Sequence, residues 1–365
     1  MTIEDVILTT ENCRYCLMCR HIVPVEQVTY RETHSPHGWA LLVASQRRGL
    51  TEWNGDTVDA LYSAPDGGNS RAHCVTDQPL PEALAAVRAE IAGQGLAPDI
   101  VYTIDKTLKK WGTPYKSTEP HPLTGEGDTA LFVGDEAAYL WPTVLNAVDK
   151  LLDAVGIQPV LLAKGRNNGL LASSLGLPDT ARGLIRASLD ELSGSGAARL
   201  IVLSPGDRFV FGQMMDERLG LAWPEGVELV ELVSLLAAKL TAGEVAFNKV
   251  EDTRPWAYVD PTHAVRVPAR HDDPRCLLSA VMPTEGRELY WRRERAHPVG
   301  STYLQFVQPE IARKLTHARL ADARQAGAEL IICEDPGTLI QLNLHAEEYG
   351  LEVKGLYELL AAHLA

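Results

Sequence analysis

Cys13-Arg14-Tyr15-Cys16-Leu17-Met18-Cys19 decides how the rest of the chain is read. Three cysteines, with two residues between each and the next, form the C-x2-C-x2-C run of a bacterial-type [4Fe-4S] cluster. Thiolates are the soft ligands that such clusters need. The run closes, in proteins that carry it, on a fourth cysteine after three intervening residues and just before a proline. Here Val23 holds that position and Pro24 follows. One ligand has to come from elsewhere in the chain.

Cys74 supplies it by a crossed pattern. Where two clusters are bound, the fourth cysteine of each run ligates the other cluster. Reading back from Cys74 at the same spacing lands on Ala64, Gly67 and Ser70. One set therefore keeps Cys13, Cys16, Cys19 and Cys74. The other would need Ala64, Gly67, Ser70 and Val23, and has no thiol. Losses confined to one set point to a two-cluster module reduced to one cluster. Zinc stays open as an alternative, because His21 and His73 stand near enough in sequence to complete a zinc site. A disulfide or inert thiols are a further alternative.

At 365 residues the chain has room for two or three domains. Its hydrophobic content of 45% and charged content of 22% are those of an ordinary globular protein. A net charge of −14 argues against a nucleic-acid partner. No apolar run reaches membrane-spanning length, and the first residues do not read as a signal peptide. Six cysteines, four of them in one pattern, suit a reducing compartment, so a cytoplasmic location is expected. No Gly-x-Gly-x-x-Gly or Walker motif occurs, so no nucleotide or flavin is expected on this chain.

Residues 1–95 read as the cluster module, with a helical pattern ending near Gly49 and another at Pro81 to Gly93. Asp66 to Ser70 reads as a loop closing over the vacated ligand positions. Residues 96–128 read as an irregular linker with a Pro/Gly-rich run from Pro120 to Gly127. Residues 129–365 hold a repeat. Ala198 to Asp207 matches Ala328 to Thr338, each a β-branched strand stopping at a Pro-Gly turn. Ala130 to Gly134 and Trp256 to Asp260 open the two copies as strands. Pro142 to Gly156 and Pro309 to Gly327 carry helical apolar spacing. This alternation predicts two α/β units, 129–250 and 251–365, with largely parallel sheets.

The chain resembles the iron–sulfur subunits built like the catalytic subunit of heterodisulfide reductase, including those of glycolate oxidase and anaerobic glycerol-3-phosphate dehydrogenase. Ser35-Pro36-His37-Gly38, Gly112-Thr113-Pro114-Tyr115 and Asp260-Pro261-Thr262-His263 look like family segments. The resemblance implies an α/β fold, α+β overall. A small helical ferredoxin-like module would precede two repeated cysteine-rich "CCG" domains related by a pseudo-twofold axis.

At the family's CCG ligand positions this chain has no cysteine. Asp135, Asn167, Asn168, Ser204 and Asp207 stand there in the first copy, and Thr262, His297, Asp335 and Thr338 in the second. Cys276 and Cys333 fall outside the ligand pattern and are expected to be buried apolar residues. Heterodisulfide cleavage is therefore not expected. The polar replacements, with His263, form a candidate pocket after the strands, where open α/β sheets bind ligands. It reads either as a remnant with hydrogen-bonded walls or as a repurposed site. The function expected is electron transfer through one [4Fe-4S] cluster, within a hetero-oligomer containing a flavoprotein dehydrogenase or other redox subunit. A scaffold with a structural cluster, and an enzyme using the pocket, are the alternatives.

Overall fold

The computed structural model describes residues 3–115, 127–162 and 165–365. Among them, the segment before Thr129 forms helices and no strand. Helices Pro36–Arg47, Gly55–Tyr62 and Leu80–Gly93 enclose Trp39, Val58, Leu61, Tyr62, Leu84 and Val87, all at most 4% exposed. Each such side chain stabilises the module by about 1.5–3 kcal/mol. Ser35 is extended, and its Oγ accepts the Gly38 N–H at 3.2 Å, with Pro36 opening the helix. That is an N-cap followed by a proline whose missing N–H costs nothing there. Gly38 is constrained for a different reason: a Cβ would stand 2.4 Å from the Glu32 carbonyl oxygen.

Residues 96–128, expected to be irregular, contain a helix at Asp99–Trp111. Val101, Ile104 and Leu108 are its buried stripe, and Gly112 ends it at φ +72°. Residues 116–126, with most of the Pro/Gly-rich run, lie outside the described residues. The expected loop from Asp66 is also partly helical, with one turn at Asn69–Ala72.

Two parallel sheets follow. The first has the order β2-β1-β3-β4, built from Thr129–Phe132 (β1), Val160–Leu162 (β2), Arg199–Val202 (β3) and Glu228–Glu231 (β4). The second has the order β5-β6-β7, from Trp256–Tyr258 (β5), Leu330–Cys333 (β6) and Glu352–Gly355 (β7). Ala130 pairs with Val160 and Leu200, and Ile331 pairs with Ala257 and Val353. Central strands β1 and β6 are buried along their whole length, as a parallel sheet covered on both faces demands. Helices Thr143–Ala154, Pro178–Ser195 and Pro309–Gln325 lie in the crossovers. The architecture is α/β with a helical N-terminal part.

The Pro-Gly pairs after β3 and β6 are not turns. They open helices Pro205–Phe209 and Pro336–Asn343, capped by Ser204 and Asp335. The sequence signature of a turn and of a proline-first helix is the same dipeptide, and the cap before it decides. Cys333 is fully buried in β6, as expected, but Cys276 is exposed. Leu277, Leu278 and Val281 take the inner side of helix Asp273–Val281 and leave Cys276 outside.

The units share a core. Leu131, Val148 and Ile201 of the first lie in one apolar cluster with Leu277, Ile332 and Leu360 of the second. The Tyr357 hydroxyl donates to the Leu203 carbonyl at 2.8 Å across this junction. The helical module is tied in by charge. Asp66 accepts from Arg218 at 2.7 and 2.8 Å and from Arg266 at 3.2 Å, and Glu82 accepts from Arg266 at 2.8 Å. These side chains are between 2% and 8% exposed. No helix among the described residues is long and apolar enough to cross a membrane.

Candidate functional site

The cysteine loops are built on strained backbone. Tyr15 (φ 51°) and Leu17 (φ 62°) are left-handed, as is Asp77 (φ 46°) just beyond Cys74. A non-glycine residue pays roughly 1–2 kcal/mol for that conformation, and such strain gathers at ligand clamps. Cys74 follows the helical turn Asn69–Ala72, its N–H bonded to the Arg71 carbonyl at 3.0 Å. The outcome is that Cys13, Cys16, Cys19 and Cys74 line one hollow, with His37 and His73 at its wall. Around it Tyr15, Leu17, Met18 and Val75 are 42–66% exposed, an apolar rim.

The thiols influence one another. Burial raises Cys13 and pushes Cys19 up to about 12, and the neighbouring cysteine sulfurs add to both. Burial also raises Cys74, but Thr76 Oγ1 at 3.2 Å and the backbones of Gln78 and Thr76 outweigh it and lower that thiol. Among the described residues, the metal-ligating donors lying within 4.8 Å of one another in a group are those of His317, His345 and Glu348. No three of the cysteine sulfurs form such a group among the described residues. A single zinc ion with Zn–S bonds near 2.3 Å would draw its sulfurs to about 3.8 Å apart.

A second concavity lies where the two α/β units meet, at the ends of β1, β3 and β6. Asp135, Asn167, Asn168, Ser204, His263 and Asp335 line it. Asp135 accepts from Asn167 at 3.0 Å and from Thr113 at 3.1 Å. Asp207 lies beside it, accepting from Asn168 and Ser204, each at 2.8 Å. Thr338 is buried and donates to Asp335 at 2.6 Å as part of the helix cap. Burial raises Asp135 to about 6 and Asp207 to about 7, and in Asp207 the nearby charges of Asp335 and Asp135 add to the rise. His263 is pushed down to about 4 by burial and stacks on Phe209 with ring centroids 5.9 Å apart.

Neither a family model nor a curated protein matches this sequence. Among solved structures, the chain is similar to a hypothetical protein from Helicobacter pylori, known from a crystal structure. The TM-score is 0.61 at 10% identity, over 94% of this chain and 71% of that one. That likeness is one of fold.

Two expected pocket residues sit elsewhere. His297 does not reach the concavity: it stacks on Trp291 at 4.0 Å, and its Nε2 donates to the His21 carbonyl at 3.0 Å, behind the cysteine loop. Thr262 is buried against Gly67 of the helical module, its methyl 3.2 Å from where a glycine Cβ would be. Glu136, absent from the expected set, lines the concavity instead. Burial and then the charge of Asp335 raise it well above the usual range. Tyr115, also in the wall, points its hydroxyl at Glu136 from 3.4 Å. The signal for Glu136 was its place directly after Asp135 at a strand end; the signal for Tyr115 was masked by its place in an apparent linker.

Proposed function

We propose that this chain is an iron–sulfur electron-transfer subunit, and that Cys13, Cys16, Cys19 and Cys74 hold one [4Fe-4S] cluster. The observation that carries the reading is the convergence of these four thiols on one hollow from two separate loops. The donor set fits the group: four thiols, the soft ligands that iron–sulfur clusters take. The cluster, when bound, supplies one-electron transfer. The chain's own residues shape access to it. Tyr15, Leu17, Met18 and Val75 offer an apolar rim on which a redox partner would seat, bringing its cofactor near the cysteines. By the resemblance to heterodisulfide reductase-like subunits, that partner is a flavoprotein dehydrogenase, and the α/β units are CCG domains that have lost their own metal ligands.

Iron analysis and EPR on anaerobically purified protein, before and after dithionite, test this. About four irons per chain and a reduced-state signal are expected, lost in Cys74→Ser and kept in Cys276→Ser. One zinc per chain without iron would overturn it. Iron that no donor reduces would leave the cluster a structural staple.

A second reading is favoured by the carboxylates of the concavity. Asp135 and Asp207 are buried and raised toward neutral pH, and Glu136 beside them is raised as well, as general acids and bases are. Under it, His263→Ala or Asp335→Ala abolishes turnover by the purified complex while the iron content stays unchanged. Under the first reading both variants transfer electrons at close to the wild-type rate.

A further inference from the structure

Outside the linings of both features, helix Pro309–Gln325 brings His317 against the turn Ala346–Tyr349. The His317 and His345 ring centroids are 4.5 Å apart. One donor nitrogen of each ring and a Glu348 carboxylate oxygen all lie within 4.8 Å of one another. His317 Nδ1 is engaged by the Tyr349 hydroxyl at 3.0 Å. Its Nε2 is shut off from solvent and has no hydrogen-bond partner. His345 Nδ1 meets Glu348 Oε1 at 2.7 Å.

We propose that His317, His345 and Glu348 bind one divalent first-row transition ion, zinc foremost. The warrant is the orphaned nitrogen together with the donor set. A buried polar atom without a partner calls for an explanation, and an unplaced ion is one. Two imidazoles and a carboxylate suit zinc and its neighbours, whereas magnesium and calcium take oxygen ligands. Three protein donors leave the fourth tetrahedral position open, the arrangement of zinc sites that also take water or substrate. The Tyr349 hydroxyl behind His317 can accept from Nδ1–H, the tautomer that leaves Nε2 free to ligate, as outer partners of metal-bound histidines do. Glu348 is solvent-exposed, so the ion has a way in. Burial and the neighbouring His345 ring both lower His317, in the direction of the neutral ring that ligates metals. Arg313, one turn earlier on the helix, is engaged by Glu310 at 2.9 Å. The ion would clip the helix to the turn that leads into β7.

The test is a cobalt(II) and zinc titration of the full-length protein, purified anaerobically with its own metal content in place. One cobalt per chain is expected with visible d–d bands and no sulfur-to-cobalt charge-transfer band. That absence separates this site from the four cysteines whatever they hold. Tyr349→Phe should weaken binding about 10- to 100-fold, and His317→Ala and His345→Ala by more. Glu348→Gln changes an exposed side chain and leaves the fold intact, so it guards against misfolding of the histidine variants. The proposal fails if the Glu348→Gln and His345→Ala titrations superimpose on the wild type, or if all bound cobalt shows the thiolate band.

Discussion

His297 Nε2 donates to the backbone carbonyl of His21 at 3.0 Å, fastening the second α/β unit to the loop two residues beyond Cys19. The ring is buried, and burial pushes its pKa down to about 3, so the imidazole is neutral and its single N–H is committed to this bond. Removing it deletes a hydrogen bond and a stacked contact with Trp291. His297→Ala should lower stability by about 2–3 kcal/mol, read as a fall in thermal midpoint. If the cysteines hold the proposed cluster, iron should leave this variant faster in a chelator challenge than it leaves the wild type.

Asp66 should give the chain an acid limit. Burial alone would raise its carboxyl. The charge and hydrogen bonds of Arg218, and then the charge of Arg266, more than reverse this and hold it well below the usual range. A folded-state value below the unfolded one contributes stability that is present at neutral pH. It is lost as pH falls from about 4 through the folded value. Asp66→Asn should cost about 3–5 kcal/mol at pH 7 by leaving two buried guanidinium groups short of a partner. The gap between variant and wild type should narrow in denaturant titrations run below about pH 4.

Asp207 works in the opposite sense. Its folded value of about 7 lies above that of the unfolded chain. The fold therefore holds the proton more tightly than the unfolded state, and stability falls as pH rises from about 4 to 7. Asp207→Asn keeps an oxygen to accept from Ser204 and removes the titration. It should be more stable than the wild type at pH 8, by on the order of a few kcal/mol, and indistinguishable from it near pH 4. A variant less stable than the wild type at pH 8 would show that the carboxylate is held by a bound cation or partner instead.

Gly38→Ala should cost about 2 kcal/mol or more, because the new methyl meets backbone, the Glu32 carbonyl, and not a movable side chain. Chemical denaturation would show it as a lower midpoint with an unchanged slope.

Much of this architecture is legible in local patterns. β1, β3, β5 and β6 announce themselves as short apolar runs, and the helices between them by their spacing. Helix Asp99–Trp111 is harder to see, since its buried stripe is only Val101, Ile104 and Leu108 amid charged residues, and a Gly-Thr-Pro segment follows it. The concavity is legible in part: strand-end positions such as Asp135, Ser204 and Asp335 are placed by the parallel topology itself. His297 is not, because it sits in a long connection whose path is set by tertiary contacts with Trp291 and His21. The His317, His345 and Glu348 group was invisible for the same reason: His317 and His345 lie far apart in sequence, and no motif links them.

The ion network around Asp66 also bears on portability. Arg218 and Arg266 come from different α/β units, yet both close on one carboxylate of the cysteine-bearing segment. Grafted alone onto another scaffold, that segment would carry Asp66 and Glu82 as neighbouring carboxylates with neither arginine beside them. The segment therefore keeps this charge balance only when it travels with both of its neighbours.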